Sequence, residues 1–330
     1  CKKKIVVRHV KQWVLEALAD AGGYVSGEEI SQKLNKSRTA VWQSIAALRE
    51  DGYIIEAAPR RGYRLIQRPD RLFPWEVLPR LKTKRLGRLY EYRDSVDSTN
   101  NLVKALAKDG ASEGLVAVAE EQTSGRGRRG RSWSSPYGLG LWMSVLLRPD
   151  MSPFDAPKTA LMAALAVSRA VREATGLSTS VKWPNDVLTN GRKMSGILVE
   201  MDAELESVRS LIIGIGANVN LDLSHIPEDA RNHATSLKLE LGEKVDRIAL
   251  ITGILHQLEI VYDTWREHGF DPILQAVRQE TATLGKPVRV VEGSSKWEGL
   301  AVDIAADGSL LVQKSDGHIQ PVYAGEVSVR

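Results

Sequence analysis

The 330-residue chain contains a single cysteine, which excludes an intrachain disulfide and fits a reducing compartment. Its six histidines are scattered without metal-ligand spacing, so no structural or catalytic zinc site is expected. No apolar run approaches the ~18 residues that a transmembrane helix requires. The opening Cys1-Lys2-Lys3-Lys4 is basic, yet no apolar stretch of adequate length follows, so no secretory signal is expected. There is also no triad or reactive-cysteine pattern that would point to a covalent nucleophile. These absences make the cytoplasm the expected compartment and leave no place for a membrane partner.

What remains is an ordinary globular composition, 43% hydrophobic and 26% charged, in a chain long enough for two or three domains. The net charge of +4 is unevenly spread: residues 1–66 carry twelve Lys/Arg against seven Asp/Glu, while the rest is close to neutral. A small basic head on a neutral body suggests a polyanionic partner for the head.

Within that head, His9 to Ala21 carries Val10, Trp13, Val14, Ala17 and Leu18 at the spacing of an amphipathic helix ended by Gly22-Gly23. Ser26-Gly27-Glu28-Glu29 has the form of a capping box, with Ile30 and Leu34 continuing a short helix. Ser37 is placed to cap a third helix through Val41, Ile45 and Leu48. Two strand-like runs follow, joined by Ala58-Pro59-Arg60-Arg61. Three helices and a hairpin make a winged helix-turn-helix over residues 1–66. In that arrangement Ser37, Arg38, Thr39 and Gln43 face the DNA major groove, and Arg60 and Arg61 sit near phosphates at the wing tip. The competing reading is a protein-interaction module with solvated arginines; the order of elements and the charge favour DNA.

Residues 67–80, with Pro69, Pro74 and Pro79, read as a linker that packs through Leu72, Phe73 and Trp75. Residues 81–270 alternate strands with helices, notably Asn100 to Lys108 with Leu102, Ala105 and Leu106 on one face, Pro157 to Ala174, and Val245 to Glu267. Strands are expected at Leu115 to Ala119, Leu141 to Leu147, Val181 to Trp183, Gly196 to Met201 and Leu211 to Ile215. The whole is expected to be an α+β fold with a mixed α/β central domain. Residues 271–330 show short strands separated by Glu292-Gly293-Ser294, Ala306-Asp307-Gly308 and Asp316-Gly317, the pattern of a small SH3-like β-barrel.

The most informative stretch is Gly125-Arg126-Gly127-Arg128-Arg129-Gly130-Arg131. Its glycines let the backbone approach a ligand closely, and its arginines suit phosphate or carboxylate. A loop of this kind is expected to stay mobile until an anion arrives. The letters also satisfy a dinucleotide-binding fingerprint, but the following Ser132 to Gly138 is turn material rather than the helix that fingerprint needs. Other polar stretches punctuate the strands: Asp97-Ser98-Thr99-Asn100, which includes a helix-cap candidate, Gln122, Lys182 to Asp186, Gly191 to Gly196, and Gly214 to Asn220. Taken one at a time, each also reads as a cap, hairpin or turn.

In this order, Asp97 to Asn100, Gly125 to Arg131 with Trp133, Lys182-Trp183-Pro184-Asn185-Asp186, Gly191 to Glu200 and Gly214 to Asn220 resemble the bifunctional biotin–protein ligases that also repress biotin operons. Lipoate ligases share the broad fold but lack the arginine loop. The resemblance implies a class II synthetase-like central domain and a two-step reaction. Biotin and MgATP give biotinyl-5′-AMP and pyrophosphate, and a lysine of a biotin carboxyl carrier protein, as in acetyl-CoA carboxylase and related carboxylases, then displaces AMP. It places Ser98, Thr99, Asn100, Gln122, Arg126, Gly127, Arg128 and Lys193 around biotin. Arg126, Arg128, Asn185, Asp186, Lys193 and Asn218 fall around ATP and the adenylate. Arg128 and Lys193 are the implied catalytic pair, and Asp186 is the candidate for orienting a basic neighbour or placing Mg²⁺. Leu221 to Thr235 corresponds to the adenylate-side loop but carries no tryptophan. The adenylate is expected to act as corepressor, promoting a homodimer that binds operator DNA. The alternatives are a biotin-sensing transcription factor without ligase activity and a lipoate or octanoate ligase.

Overall fold

Val14, Leu15, Ala17 and Leu18 form the buried face of α1 (Val10–Asp20), which Gly22 ends at φ +58°. The computed structural model describes residues 10–204, 207–292, 295–323 and 326–329, and the chain divides into two units, Cys1–Asp70 and Arg71–Arg330. Cys1 to Lys4, His9 at the expected start of the first helix, and Gly293-Ser294 in an expected turn lie outside the described residues.

In the first unit, α2 (Gly27–Leu34) starts at a complete capping box. The Ser26 hydroxyl accepts from Glu29 N at 3.1 Å, and the Glu29 carboxylate accepts from Ser26 N at 2.8 Å. Ser37 caps α3 (Arg38–Glu50) by accepting from Ala40 N, and Val41, Ile45 and Leu48 turn inward. An antiparallel hairpin of β1 (Ile54–Ala58) and β2 (Gly62–Gln67) completes the unit. Gly62 has φ +95°, and a Cβ there would meet Val25 O at 2.1 Å, so only glycine lets the wing close on the helices.

In the second unit, Leu72 and Val77 are fully buried around the short α4 (Pro74–Val77). The expected linker segment thus contributes core residues. β3 (Leu89–Val96) runs parallel to β4 (Leu115–Gln122), joined through α5 (Thr99–Lys108). β5 (Gly140–Leu147), α6 (Lys158–Thr175), β6 (Thr179–Lys182), β7 (Asp186–Thr189), β8 (Arg192–Glu204) and β9 (Ser207–Asn218) follow. Among the described residues, seven strands make one mixed sheet in the order β3-β4-β5-β9-β8-β7-β6. The period-two alternation divides it: Val116, Val118, Met143, Val145, Ile213 and Ile215 belong to the main core with α6, whereas Leu115, Ala117, Leu146 and Ile212 pack with Val103 of α5.

α7 (Leu237–Leu241), α8 (Arg247–His268) and α9 (Asp271–Glu280) follow, and α8 packs along α6 in the same core. The C-terminal strands are β10 (Pro287–Glu292), β11 (Ser295–Ile304), β12 (Leu310–Gln313), β13 (Ile319–Val322) and β14 (Glu326–Val329). Among the described residues they form an antiparallel sheet in the order β13-β12-β11-β10-β14, open at its two edges. Trp183 joins this sheet to the central one, donating from its indole to Gly308 O at 2.9 Å.

Two expectations need correction. The inward residue of α5 is Val103, fully buried, and Ala105 is exposed, because the helix packs on β4 and β5 through Leu102, Val103, Leu106 and Ala107. Strands β8 and β9 are also longer than their apolar cores at 196–201 and 211–215, since main-chain pairing carries them on through polar residues. Lys193, Ser195 and Asn218 therefore stand on strands rather than in loops.

Candidate functional site

The strand extensions form one wall of a cleft of about 1050 Å³. Gly196 on β8 and Gly216 on β9 face each other in register. A Cβ at Gly216 would stand 2.6 Å from Trp133 Nε1, one at Gly196 would be 3.0 Å from the same ring, and one at Gly214 would be 2.3 Å from Asn100 Oδ1. Glycine in a strand interior costs stability, and here it opens room for close approach of other groups. Trp133 lies against this bare floor, and the Lys193 ammonium sits 5.1 Å from its ring centroid.

One end of the cleft is a polar head. Thr99 donates from its N–H and its hydroxyl to Gln122 Oε1 at 2.9 and 3.1 Å, and Gln122 Nε2 donates to Ser135 Oγ at 2.9 Å. Ser144 donates to Thr99 Oγ1 and Asn100 Oδ1, and the Asn100 amide donates to Glu200 at 2.9 Å. Ser98 occupies the N-cap position of α5 without making a side-chain cap bond, so the capping reading is not realised there. The Asn101 amide holds the neighbouring Asp97 carboxyl below its usual range, against a smaller upward push from burial.

The arginine loop closes on itself beside this head. Trp133 N donates to Gly125 O at 2.8 Å and Gly127 N to Arg131 O at 2.7 Å, while Arg129 and Gly130 take positive φ at the tip. Arg126 donates to Asn101 Oδ1 at 2.6 Å and lies 3.4 Å from Glu200. Arg128 reaches Asn185 Oδ1 at 3.0 Å, and Arg129 reaches Val291 O on β10 at 3.4 Å. Gly127 also lines the cleft.

Opposite, the β7–β8 hairpin turns at Asn190 (φ 48°) and Gly191 (φ 77°), which pairs Lys193 with Leu188 on β7 and leaves its side chain to reach back to Asp186. The Lys193 ammonium lies 2.7 Å from Asp186 Oδ1 as an ion pair rather than an aligned hydrogen bond. Lys193 N donates to His233 O, Thr235 N donates to Lys193 O, and Asn218 Nδ2 donates to Thr235 O at 3.0 Å. Residues 221–235 thus flank the cleft, with Leu221, His225, Ile226, Pro227, Asp229 and His233 lining it. Glu240, whose side chain is only 4% exposed, braces this region by accepting from Thr235, Asn190 and Arg192. Among the described residues no cluster of three or more His, Cys, Asp or Glu could hold a metal ion, and Asp186 stands as one carboxylate beside a lysine.

Ser98, Thr99, Asn100, Gln122, Arg126, Gly127, Arg128, Asn185, Asp186, Lys193 and Asn218 therefore all line the same cleft. Sequence reasoning gave no role to Trp133, Ser135, Ser144 or Glu200. The available signal was the run of strand glycines at 196, 214 and 216, which announces that something bulky comes close.

In the first unit, Ser37, Arg38, Thr39, Gln43, Arg60 and Arg61 are all exposed. Ser37 is occupied as the cap, and Arg38 pairs with Glu28 at 3.1 Å. The Arg61 guanidinium lies 4.1 Å from the Tyr24 ring centroid and that of Arg64 5.0 Å from it, so one aromatic ring organises two wing cations. Trp42, 60% exposed on α3, is a further surface group that sequence reasoning passed over.

Comparison with known proteins finds matches over most of the chain. Residues 11–64 match a model of an HTH domain, residues 92–220 that of the biotin/lipoate A/B protein ligase family, and residues 283–330 that of the biotin protein ligase C terminal domain. The bifunctional ligase/repressor BirA of Bacillus subtilis is 41% identical over 317 residues, covering 96% of this chain and 97% of that protein. Its counterpart in Escherichia coli is 30% identical, with 96% of each chain covered. The structure of the Aquifex aeolicus biotin protein ligase in complex with biotin and ATP is similar with a TM-score of 0.63 at 32% identity, over 74% of this chain and 99% of that one. The chain belongs to the family of the bifunctional ligase/repressor BirA proteins.

Proposed function

We propose that the cleft joins biotin to ATP, giving biotinyl-5′-AMP and pyrophosphate, and then passes biotin to a lysine of a biotin carboxyl carrier protein. The first unit binds operator DNA as a biotin-responsive repressor. The observation that carries the catalytic reading is the meeting, in one cleft, of the Thr99–Gln122–Ser135 head, the Arg126 and Arg128 loop, and the Lys193–Asp186 pair.

The head offers donors and acceptors suited to the ureido ring of biotin. The biotin carboxylate attacks the α-phosphate of ATP, and two anions must be brought together for that step. Fixed positive charge at Lys193, Arg126 and Arg128 lowers their repulsion and stabilises the charge that develops. Asp186 aims the Lys193 ammonium through their ion pair. Asn185 and Asn218 contact the nucleotide, with residues 221–235 as its cover. Mg²⁺ would supply charge to offset the phosphates of ATP, and Asp186, a single carboxylate already engaged by a lysine, would be the residue to hold it as a hydrated ion. The arginine loop then holds the mixed anhydride away from water. In the second step the carrier lysine, as free amine, attacks the biotinyl carbonyl. The new amide bond forms as the acyl–phosphate bond breaks, AMP leaves, and the amine proton passes to solvent.

The C-terminal sheet, read as part of an SH3-like barrel, buttresses the site through Trp183. Adenylate binding orders the loop surface and promotes a homodimer in the cytoplasm, so that paired helix-turn-helix units read two half-sites. Incubation with biotin, ATP and a carrier domain should raise the carrier's mass by one biotin. Folded protein that releases no pyrophosphate would leave only the sensor reading. Preference for lipoate in direct competition would favour the lipoate reading. Sedimentation with and without biotinyl-5′-AMP tests the dimer; an unchanged monomer fraction counts against it.

A further inference from the structure

We propose that Glu120 and Arg247 are positioning residues for biotin recognition, acting on Gln122 through the return arm of the arginine loop, residues 135–140. The inference rests on the reading that Gln122 meets the biotin head.

Both side chains are completely buried, with Arg247 Nη1 2.9 Å from Glu120 Oε2. A buried ion pair is a weak source of stability, because an apolar pair of similar volume often does as well. What sets this pair apart is the backbone it gathers. Glu120 Oε1 accepts from Leu72 N at 2.8 Å, and Arg247 Nη1 donates to Gly140 O at 3.1 Å. The Glu120 main chain also takes part, its O accepting from Gly138 N at 2.9 Å. The far end of the return arm is thereby fixed at 138 and 140.

The near end of that arm is Gln122's partner. Gln122 N donates to Ser135 O at 3.2 Å, and Gln122 Nε2 donates to Ser135 Oγ at 2.9 Å. Thr99 donates to the other end of the same carboxamide. Two partners of opposite sense decide which end of the amide is the donor, and only one of them, Ser135, belongs to the arm. If residues 138–140 slide, Ser135 moves with them and the Gln122 amide loses its orientation. ATP is recognised by residues outside this arm, so the effect falls on biotin.

A second clamp holds the middle of the arm from outside. Tyr137 donates to Asp94 Oδ1 at 3.3 Å, and its ring centroid is 5.5 Å from the Arg71 guanidinium. Arg71 also pairs with Asp94. Arg71 thus holds the arm through Tyr137, and the next residue, Leu72, is bonded to Glu120.

The test uses the full chain with Glu120→Leu and Arg247→Met together, which removes the side-chain ties to Leu72 and Gly140 while leaving no unpaired buried charge. Biotin binding by calorimetry should weaken about tenfold, the order of one lost, well-placed hydrogen bond. The KM for biotin should rise with it while the KM for ATP stays within about twofold. Unchanged biotin affinity in the folded double variant overturns the inference, as does an equal rise in both KM values. If the double variant does not fold, Tyr137→Leu, at a residue 47% exposed, loosens the same arm from outside. It should weaken biotin about threefold, and wild-type affinity there overturns the inference too. A wild-type chain that binds no biotin overturns the functional reading itself, and the inference with it.

Discussion

Replacing Gly216 by alanine is a direct probe of the glycine floor. Gly216 is outside the left-handed region, so the added methyl strains no backbone torsion; its effect is steric. The new Cβ would lie 2.6 Å from Trp133 Nε1 and 2.8 Å from its Cε2. Comfortable contact needs about 3.5 Å, so the ring must retreat by roughly 0.7–1 Å. Trp133 Nε1 has no hydrogen-bond partner among the described residues, so the indole gives way without breaking a bond. The main chain of Trp133 is held to Gly125 O, and the displacement therefore enters the arginine loop. Overpacking of this kind costs about 1–3 kcal/mol, and a partly exposed ring places it near the lower end. The melting temperature should fall by about 2–4 °C. Catalysis should suffer more: a shift of ~1 Å in groups that grip the substrate is worth up to ~10²-fold in rate. Steady-state pyrophosphate release with varied biotin should show kcat/KM for biotin down by about 30- to 100-fold. In the Trp133→Leu background the same glycine change should cost little, since the atoms it strikes are gone. A Gly216→Ala protein within threefold of wild type would refute the reasoning.

Arg128→Gly removes the 3.0 Å tie between the loop and Asn185, and should release biotinyl-5′-AMP into solution. Loose labelling of bystander lysines, read by mass spectrometry, is the expected sign, and adenylate kept as tightly as in wild type would oppose it. Burial pushes the Glu240 carboxyl up, but hydrogen bonds from Thr235 and Asn190 and the charge of Arg192 outweigh it and hold the group below its ordinary 4.5. A depressed carboxylate stabilises the fold above the unfolded value and loses that contribution as pH falls through the folded one. Glu240→Gln should therefore cost about 1–3 kcal/mol at pH 7, and the gap to wild type should close as pH drops below 4.5; a gap constant from pH 7 to 3.5 would refute this. Arg61→Ala should weaken DNA binding evenly across sequences and flatten the log K against log salt slope by about 0.9, measured by fluorescence anisotropy.

Local signals in the sequence carried through to the structure where neighbours along the chain complete them. The capping box at Ser26 to Glu29 and the Asn190-Gly191 turn each need only a few adjacent residues, and both form. Asp97 to Asn100 has cap letters too, yet the Ser98 hydroxyl makes no cap bond there. The amide of Asn100 is instead drawn to Glu200, a residue a hundred positions away. The same limit explains the strand lengths. Arg192 to Ser195 carries the polarity of a loop, and pairing with β7, with Ala217 of β9 and with Ala234 makes it a strand. The cleft residues were ambiguous one at a time and became legible only as an ordered set that resembles one family; the Glu120–Arg247 bracket was not legible, because its members stand 127 residues apart and neither spacing nor charge pattern links them.

The arginine loop has acceptors of its own that an anionic ligand would have to displace. Arg126 rests between Asn101 Oδ1 and Glu200, and the other oxygen of Glu200 accepts from Asn100. At 42% side-chain exposure for the arginine, such an ion pair is worth about 1 kcal/mol or less. A charge-assisted bond to a carboxylate or phosphate inside the cleft is worth about 1.5–3 kcal/mol. Exchange of these acceptors for a ligand anion would thus be downhill by a modest margin for Arg126. Such a trade of partners would change the surface that the loop presents. Glu200, by competing for Arg126, sets how strongly anionic a ligand must be to win that exchange.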